Sequence, residues 1–313
     1  MSVSRIKLVS LFSAVIISVT AIWLIDYLTD QLMKRVSSGE LGKVNLLLNN
    51  DLHVPVSFWG SSTTLVHVSP HVVDSITGSN SFNFGLDGTL FQQYSGFLKS
   101  YAEKTTNPSV IVIGLNITDF HPRTQIYHPH YYTYAIKNPN VQDALKVIDS
   151  SLAWKMRWVP FYSLVLFDSE HYLNLLKNYN SARSLSDTKG YEAQHREWFS
   201  DGRFPYDSIE IYRPFVDNLI AVTSEVKKMG HTPVIFVSPM YFEAYDHIKN
   251  MAEFQKILDE LKENQLTIIN LLDSPLSKDK NLFYNYLHMN SRGAEPFSAE
   301  LSHQIKPSIE SLD

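Results

Sequence analysis

Residues 109–115, Ser-Val-Ile-Val-Ile-Gly-Leu, present apolar side chains at odd and even positions alike. A strand sends alternate side chains to opposite faces, so a run without a polar face has to be covered on both sides. That is the condition of a central strand in a parallel sheet sandwiched between helices. Four further segments read as strands: 54–60 (VPVSFWG), 81–86 (SFNFGL), 232–239 (TPVIFVSP) and 266–272 (LTIINLL). Helical periodicity fills the intervals at about 89–104, 208–229 and 242–264 and continues after the last strand at about 291–304, with Asn290 or Ser291 as its cap. Strands alternating with helices predict an α/β fold, a doubly wound parallel sheet of about five strands.

Residues 120–205 break this rhythm. They hold aromatic clusters (IYHPHYYTY, AWKMRWVPFY) and then a polar stretch, NSARSLSDTKGYEAQ. We read them as a mostly helical insertion between the third and fourth strands, lying over the C-terminal edge of the sheet.

Residues 8–25 contain no charge, follow Arg5 and Lys7, and end at Asp26. At about 1.5 Å per residue such a helix just spans a bilayer core. The basic residues ahead of it predict an N-in, C-out orientation, and Trp23 and Tyr27 fall where an interfacial aromatic belt belongs. A cleaved signal peptide is the rival reading, but the run is long for one and no A-x-A-like site follows it. The expected division is an anchor at 1–30, a polar, partly helical juxtamembrane stem at 31–53, and the α/β domain at 54–313. This puts a single-pass protein in the cytoplasmic (inner) membrane with its domain on the periplasmic or extracellular side.

Composition narrows the chemistry. With no cysteine among 313 residues, disulfides, thiolate catalysis and Cys-ligated zinc are excluded. A net charge of −5 without a clustered basic face gives no footprint for nucleic acid. No cofactor is expected.

In open α/β sheets, ligands bind beyond the C-terminal ends of the strands. Four polar segments fall there: Gly60-Ser61-Ser62 after the first strand, Gly85 and Gly88 after the second, Gly114-Leu115-Asn116 after the third, and His288 ahead of the last helix. A serine hydroxyl needs an adjacent base to act as a nucleophile, and a histidine can take its proton and return it. An oxyanion formed on the way needs N–H donors. Each residue also has a plainer use: Ser61-Ser62 as a helix cap, Gly85 and Gly88 as turn glycines, Asn116 as a turn cap, His288 as a surface histidine.

These four segments, in this order, resemble the four blocks of the SGNH hydrolase family. The resemblance covers about residues 54–120 and 206–305. It implies Ser62 as nucleophile, Gly88 and Asn116 as oxyanion donors together with the Ser62 backbone, and His288 as base. Gly-Ser-Ser in place of Gly-Asp-Ser, and the HMNSRGAEPF run, bring the chain closer to the membrane-anchored, polysaccharide-modifying branch than to soluble lipases. That branch includes alginate O-acetyltransferase-like proteins and the D-alanyl-transfer protein of teichoic-acid modification. It implies an esterase or O-acyl transferase acting on a polysaccharide or acyl-ester substrate, with a membrane acyl-transfer protein as a possible partner.

The chain departs from the family three residues before His288, where Asn285 stands in place of aspartate. Asn285 can orient the imidazole but cannot balance its charge, so either Asn285 serves as a weak third member or another acid, such as Asp273 or Asp279, takes the place. Loss of catalysis is the remaining alternative, leaving a glycan-binding or assembly protein. His128, His130 and Arg203 are weaker candidates for substrate contact, and His195 and Arg196 default to solvated surface. His121, His128 and His130 have no adjacent acid, and no metal site is expected.

Overall fold

The computed structural model describes residues 3–49, 52–122, 124–166, 185–199, 204 and 206–312. Five parallel strands form one sheet: β1 (Val56–Trp59), β2 (Ser81–Asn83), β3 (Val110–Leu115), β4 (Thr232–Val237) and β5 (Thr267–Asn270), in the order β2-β1-β3-β4-β5. The α/β sheet expected from the sequence is present, with β3 inside it.

The period of two assigns each face. Val56, Phe58, Val110, Val112, Val234 and Phe236 pack on one side against Val73, Phe297, Leu301 and Ile305. Trp59, Ile111, Ile113, Ile235 and Val237 point to the other, where Tyr94, Phe97, Phe215, Leu219, Phe254 and Leu258 cover them. The first set of helices is α3 (Ser62–His67), α4 (Pro70–Thr77) and the last helix Ser291–Glu310. The second includes α5 (Phe91–Lys104), Arg213–Lys228 and Met251–Glu263. Complete burial of each large side chain contributes about 1.5–3 kcal/mol, so both faces stabilise the sheet.

Chain order runs outward in both directions from the pair β1 and β3. That is the topological switch point of a 2-1-3-4-5 sheet, where a crevice opens between the first and third strand ends.

Several boundaries differ from the sequence reading. The helical stretch at 242–264 is two pieces, Phe242–Tyr245 and Met251–Glu263. Asn250 interrupts it, because its amide donates to Ile209 O and accepts from Ile209 N, both at 2.7 Å. The same clamp holds residues near 209 out of the helix expected from 208, which starts at Arg213 with Pro214 in its first turn. α3 and α4, unassigned in the sequence, occupy 62–77 as two short helices separated by Val68-Ser69, with Pro70 opening the second. The last helix runs on to Glu310, capped as expected by Asn290, whose side chain accepts from Arg292 N and Gly293 N.

α1 (Val3–Met33) is the one helix among the described residues long and apolar enough to cross a membrane, with a mean hydropathy of 2.5 over its most apolar 18 residues. After it, α2 (Gly39–Asn49) buries Val44 and Leu47 in the main core, so this stretch packs as part of the globular body. The insertion is helical in α6 (Pro139–Ile148) and α7 (Ser150–Trp158). Its placement corrects the expectation. α6 lies along α5 on the flank of the sheet, where Gly96 lets the backbone of Asn140 and Val141 approach closer than any side chain would allow. Of the insertion, the turns near 128–132 and the extended segment Tyr191–Phe199 reach the cleft edge.

Candidate active site

β1 ends at Trp59, and α3 begins three residues later with Ser62 at its first position. The opening turn of a helix leaves its backbone N–H groups without intrahelical acceptors, and Ser61, Ser62 and Thr63 line the crevice. Ser62 Oγ lies 2.8 Å from His288 Nε2, although 226 residues separate the two. On the far side of the ring, His288 Nδ1 lies 3.0 Å from Asn285 Oδ1.

The orientation of that amide is fixed by its neighbours. Asn285 Oδ1 also accepts from Leu287 N and His288 N, each at 2.9 Å, so the oxygen and not the nitrogen must face the ring. It follows that Nδ1 carries the proton and donates, leaving Nε2 as the acceptor that faces the Ser62 hydroxyl. The other acids considered for this place are engaged elsewhere. Asp279 accepts from Asn281 N at 3.0 Å, and Asp273 bonds Tyr245.

The loop carrying His288 is held from several sides. Phe283 and Met289 bridge antiparallel, and Tyr284 N donates to His288 O at 3.0 Å. The Tyr284 ring lies nearly parallel to the imidazole, 9° apart with centroids at 5.4 Å, and the Arg196 guanidinium sits over its face. Beneath, the buried His67 accepts from Met289 N through Nε2 at 2.8 Å, so its Nδ1–H donates to Ser238 Oγ at 2.7 Å. His67 thereby ties the residue after His288 to the end of β4. Burial holds the pKa of His67 well below that of a free imidazole, and the nearby His288 adds to this. For His288, burial pushes the pKa down to about 4, against the opposing pull of the Asp87 carboxylate. Both rings are therefore neutral at pH 7, and a neutral His288 can accept a proton.

The third strand end supplies Asn116. Its side-chain oxygen accepts from Thr118 N at 2.8 Å and from the Thr118 hydroxyl, which assigns the amide nitrogen to the opposite side. Asp119 completes a capping box by accepting from Asn116 N at 2.8 Å. The second strand end supplies Gly88, at φ +60°, where a Cβ would be strained and would collide with the His128 ring. Two buried groups hold the loop before it: Lys43 Nζ donates to Gly85 O at 2.7 Å, and Asn83 accepts from Gly85 N while donating to Thr64 O. Burial pushes the Lys43 pKa down to about 8.

Ser62, Gly88, Asn116 and His288 thus line one small cleft of about 110 Å³. Larger hollows of about 460 and 530 Å³ lie on other surfaces, and neither is lined by a histidine. Of the weaker candidates, His128 packs over Gly88 at the cleft mouth and stacks on Tyr131, with His130 edge-on beside it. His195 bonds Ser291 Oγ at 3.1 Å. Arg203 lies outside the described residues. Among the described residues, no three His, Asp or Glu side chains are grouped to hold a metal ion. Sequence reasoning missed His67, Lys43 and the Tyr284–Arg196 stack. His67 carries no signal of its own at the end of α3, and Lys43 lies in what reads as a polar stem. Tyr284, four residues before His288, was within reach.

No family model and no curated protein matches the chain. Among solved structures it is similar to a protein assigned to the G-D-S-L lipolytic family from Desulfitobacterium hafniense DCB-2, at 11% identity and a TM-score of 0.40, over 80% of this chain and 99% of that one. An overlap that loose does not carry a function across.

Proposed function

We propose that the chain is a membrane-anchored serine esterase or O-acyl transferase of the SGNH type, acting through an acyl-enzyme on Ser62. The observation that carries this reading is the relay Ser62 Oγ–His288 Nε2 (2.8 Å) and His288 Nδ1–Asn285 Oδ1 (3.0 Å) at the switch point of the sheet. Ser62 gives its proton to His288 and attacks the acyl carbonyl. The oxyanion then faces the N–H groups of Ser62 and Gly88 and the amide nitrogen of Asn116. Each such donor is worth about 10²–10³ in rate. His288 returns the proton to the leaving alkoxide, and water or a sugar hydroxyl takes the acyl group by the same steps reversed.

The size of the cleft bears on the acyl group. About 110 Å³ is a few times the share of one water in the liquid, room for an acetyl-sized group. The acceptor we propose is a cell-envelope or exported polysaccharide, reached on the outer side of the membrane that α1 crosses, with a membrane acyl-transfer protein as donor. A fluorophosphonate probe should label the purified full-length protein at Ser62, and short-chain aryl esters should be turned over. Absence of both would sink the reading.

The neutral Asn285 favours a second reading, a silent binder of glycan that keeps the fold. In that case no ester is hydrolysed and glycan affinity survives Ser62→Ala unchanged.

A further inference from the structure

Outside α1, large apolar side chains exposed among the described residues are Tyr127, Val147, Trp154, Trp158, Val159, Val165, Phe199 and Met229. Five of these eight fall within 147–165, so the exposure is gathered on one part of the insertion. α7 shows how it is arranged. Ala153 and Met156 turn inward to the main core, while Trp154 and Trp158, four residues apart and so on one side of the helix, are each more than half exposed. Two half-exposed tryptophans on a short helix are costly in water and find a favourable place where one edge is apolar and the other wet.

The position of this patch is set by the membrane helix. Phe161 N, three residues beyond Trp158, donates to Asp26 Oδ1 at 2.8 Å. Asp26 is the residue that ends the uncharged run of α1. Lys137 pairs with Asp26 at 3.5 Å and also with Asp30. The turn after α7 is therefore tied to α1 at the level where the hydrocarbon core ends and the headgroups begin. Lys155 and Arg157 alternate with the tryptophans, and the Arg157 guanidinium sits over the Trp158 ring. Basic residues beside an apolar edge suit lipid phosphates above acyl chains.

We propose that residues 154–165 form a second membrane contact, seated in the headgroup layer of the bilayer that α1 spans. The occupant of the patch is lipid, and the proposal rests on the reading of α1 as an anchor. The seat has a consequence for the cleft. The segment from His128, over Gly88, to Lys137, on Asp30, is ten residues long, which keeps the mouth of the cleft within about 35 Å of the same end of α1. The domain is held at the membrane surface in one orientation, where a membrane-borne acyl donor can present itself.

The absence of cysteine makes the test clean. Single cysteines at Ile17→Cys, Val159→Cys, Val165→Cys and Gln304→Cys in the full-length protein would carry an environment-sensitive fluorophore, in vesicles of phosphatidylethanolamine and phosphatidylglycerol. Gln304 is exposed on the last helix, across the sheet from α5. Nitroxide lipids labelled near the headgroup should quench positions 159 and 165 about twofold, as expected for interfacial residues. Deep nitroxides should quench position 17, and neither should quench 304. If 159 and 165 behave like 304 while 17 is quenched, the anchor stands and the seat is refuted; a protein partner or open water then faces the patch. If position 17 is unquenched as well, the anchor reading itself fails and the seat falls with it.

Discussion

Replacing Asn285 by aspartate changes charge at the proposed site with little change in shape. Asn285 Oδ1 already accepts from the imidazole and from two backbone N–H groups, so a carboxylate oxygen in the same place inherits all three bonds. The position is half-buried, which moderates the desolvation of a new charge. Burial lowers the His288 pKa from 6.5 to about 4, a bias of about 3 kcal/mol against the imidazolium that forms when Ser62 is deprotonated. At an effective dielectric near 20, two unit charges about 4 Å apart attract by roughly 4 kcal/mol. Even if desolvation cancels half of this, about 2 kcal/mol remains for the transition state, or more than tenfold in rate. We therefore expect Asn285→Asp to raise kcat/KM on an activated short-chain ester about tenfold or more, with Ser62 still required.

The pH profile supplies an independent sign. His288 works as a base only when neutral, so activity is lost as pH falls through its pKa. The native acid limb should lie near pH 4, and Asn285→Asp should move it upward by about one unit or more, because a carboxylate stabilises the protonated ring. A rate that is unchanged or reduced, with the limb still near pH 4, would refute the argument that charge is what Asn285 lacks.

Four further outcomes follow from the same geometry. Ser62→Ala should abolish ester turnover, while Ser61→Ala, whose hydroxyl lies 3.5 Å from that of Thr63, should retain a measurable part; steady-state kinetics on both variants decides between the serines. Asn116→Ala should lower kcat by about 10²–10³ with KM little changed, the mark of a donor used in the transition state. Gly88→Ala should lower activity through a strained φ of +60° and collision with the His128 ring, and His128→Ala in the same chain should relieve only the collision, restoring activity in part. Finally, both His67 and His288 fold as neutral rings. Below about pH 6.5 the unfolded chain gains protons that the folded one refuses, so stability declines from there, by up to about 3 kcal/mol at pH 4 from His288 alone. A thermal midpoint that stays level between pH 7 and pH 5 would contradict this.

What could be read from the sequence was whatever has a short period or a fixed place on a strand end. β3 announces itself because both of its faces are apolar, and the serine, glycine and asparagine segments lie where parallel strands stop. The geometry adds what depends on contacts distant in sequence. Asn250 cuts one expected helix and delays another by binding Ile209, a pairing across 41 residues that no local pattern carries. Lys43 reads as solvated charge in a stem, yet it is buried with its ammonium on Gly85 O, because α2 folds back onto α5. His67 lies in a stretch that the sequence leaves unassigned and carries no signal until its partners, Ser238 and Met289, appear on either side.

The aromatic residues at 154–162 show how a composition signal can point two ways. In the sequence, Trp154, Trp158 and Tyr162 read first as a core for the insertion and only second as a sugar-stacking surface. Packing divides them by helical phase: Ala153 and Met156 supply the core, and the tryptophans face out. Their exposure then takes its meaning from Asp26, at the other end of a hydrogen bond spanning 135 residues. On the reading of α1 as an anchor, the residue that ends its uncharged run marks the edge of the bilayer core, and whatever is bonded to Asp26 shares that depth. The proposal that seats Trp158 at the headgroups thus rests on the one that puts Asp26 there, and the labels at positions 17 and 159 test the two separately.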